Sequence, residues 1–238
     1  VACLVILVSM AQYPVFFDAV IMIVLLDYGY QRQQYKKVLA TVGRNKKSLA
    51  RELVSSITAR QCDTLTDIGI AKAAIESLWL KFLYLFCGVI FYYVVFGPIG
   101  ALVYRLMLLT SWQWHYRDPK MALFAKPIKK IVSVLVLPPA LLGALITLTS
   151  SRPIRGLKAV KRCSAKDITS LLLATLGGIH NIKLGGPAIY ANRKIRYPRV
   201  GGEHEVKFSS MVYVKRTITS AMIGVTAIAT LLLIVIGM

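Results

Sequence analysis

A pair of glycines followed by closely spaced cations is the part of this sequence whose residue types could most directly do chemistry. Leu184-Gly185-Gly186-Pro187-Ala188-Ile189-Tyr190 leads into Arg193-Lys194-Ile195-Arg196-Tyr197-Pro198-Arg199-Val200-Gly201-Gly202. Neighbouring glycines reach backbone conformations closed to other residues and can turn amides toward a phosphate, which Arg193, Lys194 and Arg196 would hold by charge. The same composition suits a turn beside an anionic bilayer surface. Glu76 stands a few residues before a long apolar run, where a carboxylate is disfavoured unless solvated, paired or useful. Lys72, one helical turn earlier, is its expected ion partner. Arg60 closes an amphipathic segment, where a cation either meets an anionic group or complements a helix dipole. Asp63-Thr64-Leu65-Thr66-Asp67 matches a capping box in which Thr64 accepts from the backbone of Asp67. Tyr104-Arg105, at the end of an apolar run, reads as a headgroup anchor, continued by Trp112, Trp114 and Tyr116. His115, His180 and His204 stand alone, and Cys3, Cys62, Cys87 and Cys163 are too scattered for a ligand set, so spacing assigns no metal.

The elements that must position these residues follow from a segregation of charge. Thirty Lys and Arg against ten Asp and Glu give a net charge of +20, yet Phe82 to Tyr104, Ile131 to Ser150 and Thr217 to Met238 carry no charged side chain. Each is long enough to cross about 30 Å of hydrocarbon as helix. Val1 to Leu26, with only Asp18 charged, is counted as a further span. The expectation is an all-α polytopic membrane protein forming a single membrane domain over 1–238. It has about four transmembrane helices, approximately 1–26, 82–104, 131–150 and 217–238, with amphipathic helices and long basic loops at 27–81 and 151–216. Those two loops hold 24 of the 30 basic residues, which places them in the cytoplasm by the positive-inside rule. Pro138-Pro139 removes helical hydrogen bonds and offers an alternative, a re-entrant hairpin at the third block. Lys46 to Arg60 reads as an amphipathic helix, a second helix starts at the capping box, and a third runs from Ile168 to Leu176. The chain begins at Val inside an apolar segment, so it reads as a piece of a longer protein. Nucleic acid is not an expected partner, because membrane orientation accounts for the basic loops and no recognition motif occurs.

The order of these pieces resembles the CobD/CbiB family of cobalamin biosynthesis, the adenosylcobinamide-phosphate synthases. Ala59-Arg60-Gln61-Cys62-Asp63-Thr64-Leu65 is similar to the family's Gly-Arg-Asp-Thr segment with Gln61 and Cys62 inserted between Arg and Asp, and Ile70 to Ser77 to its Arg-Ala-x-x-Glu-Ser helix. Gly97 to Arg105, GPIGALVYR, is similar to its Gly-Pro-x-Gly-Ala-x-x-Tyr-Arg, and Leu184 to Pro187 to its Leu-Gly-Gly-Pro region. The resemblance implies a membrane enzyme of the bacterial inner membrane that joins an aminopropanol-type arm to a propionate of adenosylcobyric acid by an amide bond, using ATP and Mg2+. It implies that Glu76 and Asp63 are catalytic and supply oxygens, and that Arg60, Thr64, Arg105, Gly185, Gly186, Arg193, Lys194 and Arg196 bind substrate or its anionic groups. Lipid, the corrinoid and the aminopropanol substrate would be its partners, with an oligomer or other membrane enzymes as further ones. The pattern departs at Leu80, Lys81, Tyr84 and Leu85, where the family carries Glu, Asn and Asp-Gly, and at Leu108 to Gln113 and Lys161 to Asp167, where its polar segments are replaced. A non-catalytic scaffold of the same family, or a sensor resembling the AmpE type, is the alternative those departures leave open.

Overall fold

A computed structural model of the chain describes residues 14–113, 122–164, 167–190 and 193–237, with helices joined by a few short strands. Expectations placed on residues 1–13, Trp114, His115 and Tyr116, and on the side chains of Arg193 and Lys194, lie outside the described residues. In chain order the helices are α1 Pro14–Leu25, α2 Tyr28–Gly43, α3 Lys47–Ser55, α4 Asp67–Lys81, α5 Gly88–Gln113, α6 Ala122–Thr149, α7 Pro153–Arg162, α8 Ile168–His180 and α9 Phe208–Gly237, with a π-helical turn at Phe82–Cys87 joining α4 to α5. The strands are β1 Lys183–Gly185, β2 Ala188–Tyr190, β3 Arg193–Ile195 and β4 Arg199–Gly201. Among the described residues, three helical segments are long and apolar enough to cross a membrane: Asp67–Gln113, Ala125–Thr149 and Phe208–Val235. This is a membrane protein, as the bare apolar blocks require.

The chain divides into two compact units. The first comprises residues 1–27, 83–142 and 225–238. Its central feature is a reversal within α5, at Gly97, whose φ of 69° and ψ of −167° leave the helix. A left-handed φ suits glycine, and Pro98 behind it cannot supply a helical N–H, so the two together break the helix. The Tyr104 hydroxyl consequently donates to the carbonyl oxygen of Tyr84 at 2.8 Å, and its ring stacks on Tyr92 at a centroid distance of 4.7 Å. In a straight helix residues 84 and 104 would stand about 30 Å apart. The Gly97-Pro98 break, which the sequence suggests as a kink within 82–104, is thus sharp enough to fold the segment back on itself. The reversal returns Arg105 to Asp27, Nη2 to Oδ2 at 3.1 Å, and buries its guanidinium. The interfacial-anchor reading of Arg105 does not survive that burial.

The alternative hairpin at Pro138-Pro139 is likewise corrected, since α6 runs unbroken through both prolines. Pro139 has no N–H for the Leu135 carbonyl four residues earlier. The Tyr92 hydroxyl donates to that carbonyl at 2.9 Å, so the orphaned acceptor is satisfied without breaking the helix.

The second unit comprises residues 28–82 and 143–224. Side chains that donate to backbone carbonyls tie its helices together: Tyr35 Oη to Met211 O at 2.9 Å links α2 to α9, and Trp79 Nε1 to Leu172 O at 2.8 Å links α4 to α8. Trp79, Tyr35, Ile75 and Leu172 are at its core. Helix α3 stops at Ser55, short of the expected Arg60, because hydroxyls compete for its last carbonyls: Ser55 Oγ donates to Glu52 O, Ser56 Oγ to Leu53 O and Thr58 Oγ1 to Val54 O. Arg60 thus stands in a loop, and the helix-dipole reading of it is corrected. The next helix is capped by Thr66, whose hydroxyl accepts from Gly69 N at 3.2 Å, not by Thr64. A turn closed by Leu65 N to Cys62 O at 3.1 Å uses up Asp63 and Thr64 before the helix can begin.

Helix α8 extends past the expected Leu176, from an Asp167 cap that accepts from Ser170 N to a left-handed Asn181. His180 ends it, with Nε2 buried and without a hydrogen-bond partner among the described residues. Burial, and then the charge of Arg152, lower its pKa to about 4. Because the folded value lies below the unfolded one of about 6.5, the stability it contributes is complete above about pH 6.5 and is lost as pH falls towards about 4. We expect thermal stability to decline across that window by the equivalent of up to about 3 kcal/mol, and a His180→Gln variant to flatten the decline. Parallel pH profiles of the two proteins would refute this.

Candidate functional site

The loop that carries Arg60 is fastened at both ends within the second unit. Ser77 Oγ on α4 donates to Ile57 O at 2.7 Å, and Gln61 N donates to Ile189 O on β2 at 2.8 Å. Strands β1 and β4 pair antiparallel with Gly185 opposite Arg199, and β2 and β3 pair with Tyr190 opposite Arg193. Gly185 and Gly186 turn the chain between these two ribbons with φ of 71° and 95°. That turn is brought onto α4, where the Gly185 N–H donates to Glu76 Oε1 at 2.7 Å.

Glu76 is consequently shared. Its other oxygen, Oε2, lies 3.2 Å from Arg60 Nη2, and the two side chains are only 11% (Arg60) and 13% (Glu76) exposed. The approach is an ion pair off the hydrogen-bond line, since Arg60 Nη2 is buried without a hydrogen-bond partner among the described residues. Lys72 interacts with Glu76 by charge, as its spacing suggested, but makes no close ion pair with it among the described residues. Its Nζ instead lies beside Gly186, where an added Cβ would meet Lys72 Nζ and Arg199 Cγ, each at 3.5 Å. Tyr190 stands next to Arg60 and Glu76, its ring set edge-on to Tyr197 at 6.3 Å. Burial and then Tyr197 push the Tyr190 phenol up, so it remains a proton donor at neutral pH.

The arrangement concentrates three cations, Arg60, Lys72 and Arg199, around one engaged carboxylate, with Glu205 a further charge near Lys72. Together with the unfilled donor capacity of Arg60, it can draw in and orient a phosphate or carboxylate. Among the described residues the cluster gathers no set of protein ligands for a metal. Hard divalent cations take six or more oxygens, no three His, Cys, Asp or Glu gather among the described residues, and both Glu76 oxygens are in use. No step of the chemistry is therefore assigned to Mg2+.

Of the residues singled out in the sequence, Arg60, Glu76, Gly185 and Gly186 come together here. Asp63 and Thr64 are exposed in the turn before α4 and touch none of the cluster through an ion pair or hydrogen bond. Arg196 is exposed, and Arg105 belongs to the other unit as Asp27's partner. Lys72, expected beside Glu76 from its spacing, is also here, and Arg199 and Tyr190 complete the cluster without having been assigned to it from sequence.

This fastening of one loop, one helix and one paired-glycine turn through Glu76 joins segments far apart in the chain, and comparison with known proteins gives it a context. The model of a family described as CobD/Cbib protein matches residues 1–232. The chain belongs to the CobD/CbiB family. Curated relatives include "Cobalamin biosynthesis protein CobD" of Sinorhizobium fredii, 25% identical over 197 residues that cover 78% of this chain and 60% of the relative. The protein of the same description from Rhizobium meliloti is 28% identical over 172 residues, 68% of this chain and 53% of the relative. "Probable cobalamin biosynthesis protein CobD" of Pyrococcus abyssi is 28% identical over 198 residues, 82% and 66% respectively. The chain thus spans 53–60% of the length of the first two relatives. No solved structure matches it. Within the CobD/CbiB resemblance, the Arg-Asp-Thr-like loop, the Glu-Ser helix and the Leu-Gly-Gly-Pro turn are the segments that share Glu76, whereas the Tyr-Arg segment stands in the other unit.

Proposed function

We propose that this chain acts in cobalamin biosynthesis as a membrane enzyme that forms an amide bond between an aminopropanol-type arm, as its phosphate, and a propionate of adenosylcobyric acid. The observation that carries the reading is the convergence of Arg60, Lys72 and Arg199 on the Gly185-Gly186 turn, a place suited to anionic groups. In this reaction the amine attacks an activated carboxyl carbon, and the activating group leaves with the carboxyl oxygen. Cations that collect phosphate and carboxylate charge bring the two reactants together and stabilise the oxyanion that develops. Lys72 and Arg199 would take the anionic groups, with Tyr190 donating a hydrogen bond. Glu76 is a positioning residue: with both oxygens engaged, it orients Arg60 and holds the Gly185 turn. ATP would supply the activation, bringing any Mg2+ on its own phosphates. The basic segments 27–81 and 151–216, which pack into one compact unit and therefore share a side, would face the cytoplasm of a bacterial inner membrane, where the corrinoid is met.

Membranes holding this chain, or a strain lacking the synthase that expresses it, should form the adenosylcobinamide product. Lys72→Gln and Arg199→Gln should raise the KM for the phosphorylated arm with little change in folding. No product from correctly inserted protein would reject the activity, and unchanged kinetics in both variants would reject the assigned site.

A further inference from the structure

Helix α7 presents a mixed surface that the cation cluster does not explain. One side carries Gly156 and Ala159, both buried, and packs closely on Thr175 and Gly178 of α8. The opposite side carries Ile154 and Leu157, which are 68% and 50% exposed and stand three residues apart on one helical face. Around them Arg155, Lys158, Lys161 and Arg162 are all exposed. No acidic residue occurs from Arg152 through Lys166. The helix is therefore held to the protein by its small residues, while its large apolar side chains and its charges face outward. In water that arrangement exposes apolar surface with no return.

Position supplies the occupant. Only Ser150, Ser151 and Arg152 separate this helix from the end of α6, the segment long and apolar enough to cross a membrane. A short amphipathic helix so close to a span's end stands at the level of the lipid headgroups. There Ile154 and Leu157 can enter the acyl boundary while the lysines and arginines extend their charged ends to phosphates. We propose that α7 is an interfacial anchor that docks on anionic phospholipid, through Ile154 and Leu157 inserted between Arg155, Lys158, Lys161 and Arg162. The inference is independent of the amide-forming reading, because it uses none of the residues assigned to that site.

The test is tryptophan depth. A Leu157→Trp variant, with Ile154→Trp as a second position on the same face, would be placed in nanodiscs of pure phosphatidylcholine or of phosphatidylcholine with phosphatidylglycerol. Emission in excess of the parent protein's should shift to the blue in the anionic discs and be quenched by brominated acyl chains. Combining either variant with R155Q, K158Q and K161Q should abolish that shift while circular dichroism stays unchanged. Red, unquenched emission in both lipids would overturn the proposal, as would equal quenching in both. Blue emission insensitive to brominated lipid would also overturn it, by showing a protein neighbour on that face.

Discussion

Replacing Glu76 with alanine is expected to cost the folded state about 3–5 kcal/mol, the range for removing one partner of a buried ion pair. The loss has two sources. Arg60 would keep its guanidinium at 11% exposure with no countercharge, and the Gly185 N–H would lose the acceptor it now has at 2.7 Å. The second loss adds about 1–3 kcal/mol of desolvation to a donor that stays buried, and overlaps with the first. Glu76→Gln separates the two: its amide oxygen can still accept from Gly185 while the charge is gone, so it should fall between the parent and the alanine variant. Replacing both Arg60 and Glu76 by leucine should recover much of the loss, because the pair's attraction largely offsets its own desolvation. Denaturant or thermal unfolding of the four proteins in one detergent measures all of this. An alanine variant within about 1 kcal/mol of the parent, the level of a surface ion pair, would contradict the shared-carboxylate geometry. The outcome bears on function as well. If Glu76 positions Arg60 and the glycine turn, the Gln variant should lose substrate affinity more than turnover.

What could be read from the sequence depended on whether local pattern or long-range contact decided the question. The apolar blocks at 131–150 and 217–238 required no partner to be recognised, since lipid-compatible composition over enough length is itself the signal. They correspond to helices that begin well before the apolar run, at Ala122 and Phe208. The reversal at Gly97 was visible as a Gly-Pro pair but not as a turn. What makes it one is the return of Tyr104 to Tyr84, a contact across twenty residues that periodicity cannot register. The prolines at 138 and 139 misled in the opposite sense, because the hydroxyl that repairs the break comes from Tyr92.

The cluster shows the same division. Glu76 was conspicuous as a carboxylate beside an apolar run, but the i, i+4 rule chose Lys72 as its partner, and the fold chose Arg60, sixteen positions earlier in the chain. Local spacing can name a neighbour only on the same helix. Arg199 could be told from Arg193, Lys194 and Arg196 only by the register that sets it opposite Gly185. That register belongs to three-residue strands, too short to leave an alternating pattern. Asp63 and Thr64 were drawn in by resemblance to the family's segment. Cys62, one of the two residues inserted before them in this chain, belongs to the turn that keeps both exposed ahead of Thr66.

Gly185→Ala should be almost as damaging as the loss of Glu76, and for a reason that isolates the turn. At φ of 71° the left-handed backbone alone costs a side chain about 1–2 kcal/mol. The new Cβ would also press into the Pro198 carbonyl oxygen, which already accepts from Gly186 N at 3.2 Å. Forcing a methyl into packed backbone costs about 1–3 kcal/mol more, so we expect a total near 3 kcal/mol, with the β1–β4 pairing opened or the Glu76 bond lengthened. Gly186→Ala is the informative contrast. Its φ of 95° carries a conformational cost too, but its Cβ would meet only Lys72 Nζ and Arg199 Cγ at 3.5 Å, ordinary contact with movable side chains. It should therefore be the milder change for stability, and the sharper one for the two cations, whose ends it crowds on the side where an anion would sit. Unfolding midpoints and affinity for a phosphorylated substrate, measured on both variants, should rank in opposite orders. If Gly186→Ala destabilises as much as Gly185→Ala and leaves affinity untouched, the turn is only structural, and the anion must be sought away from it.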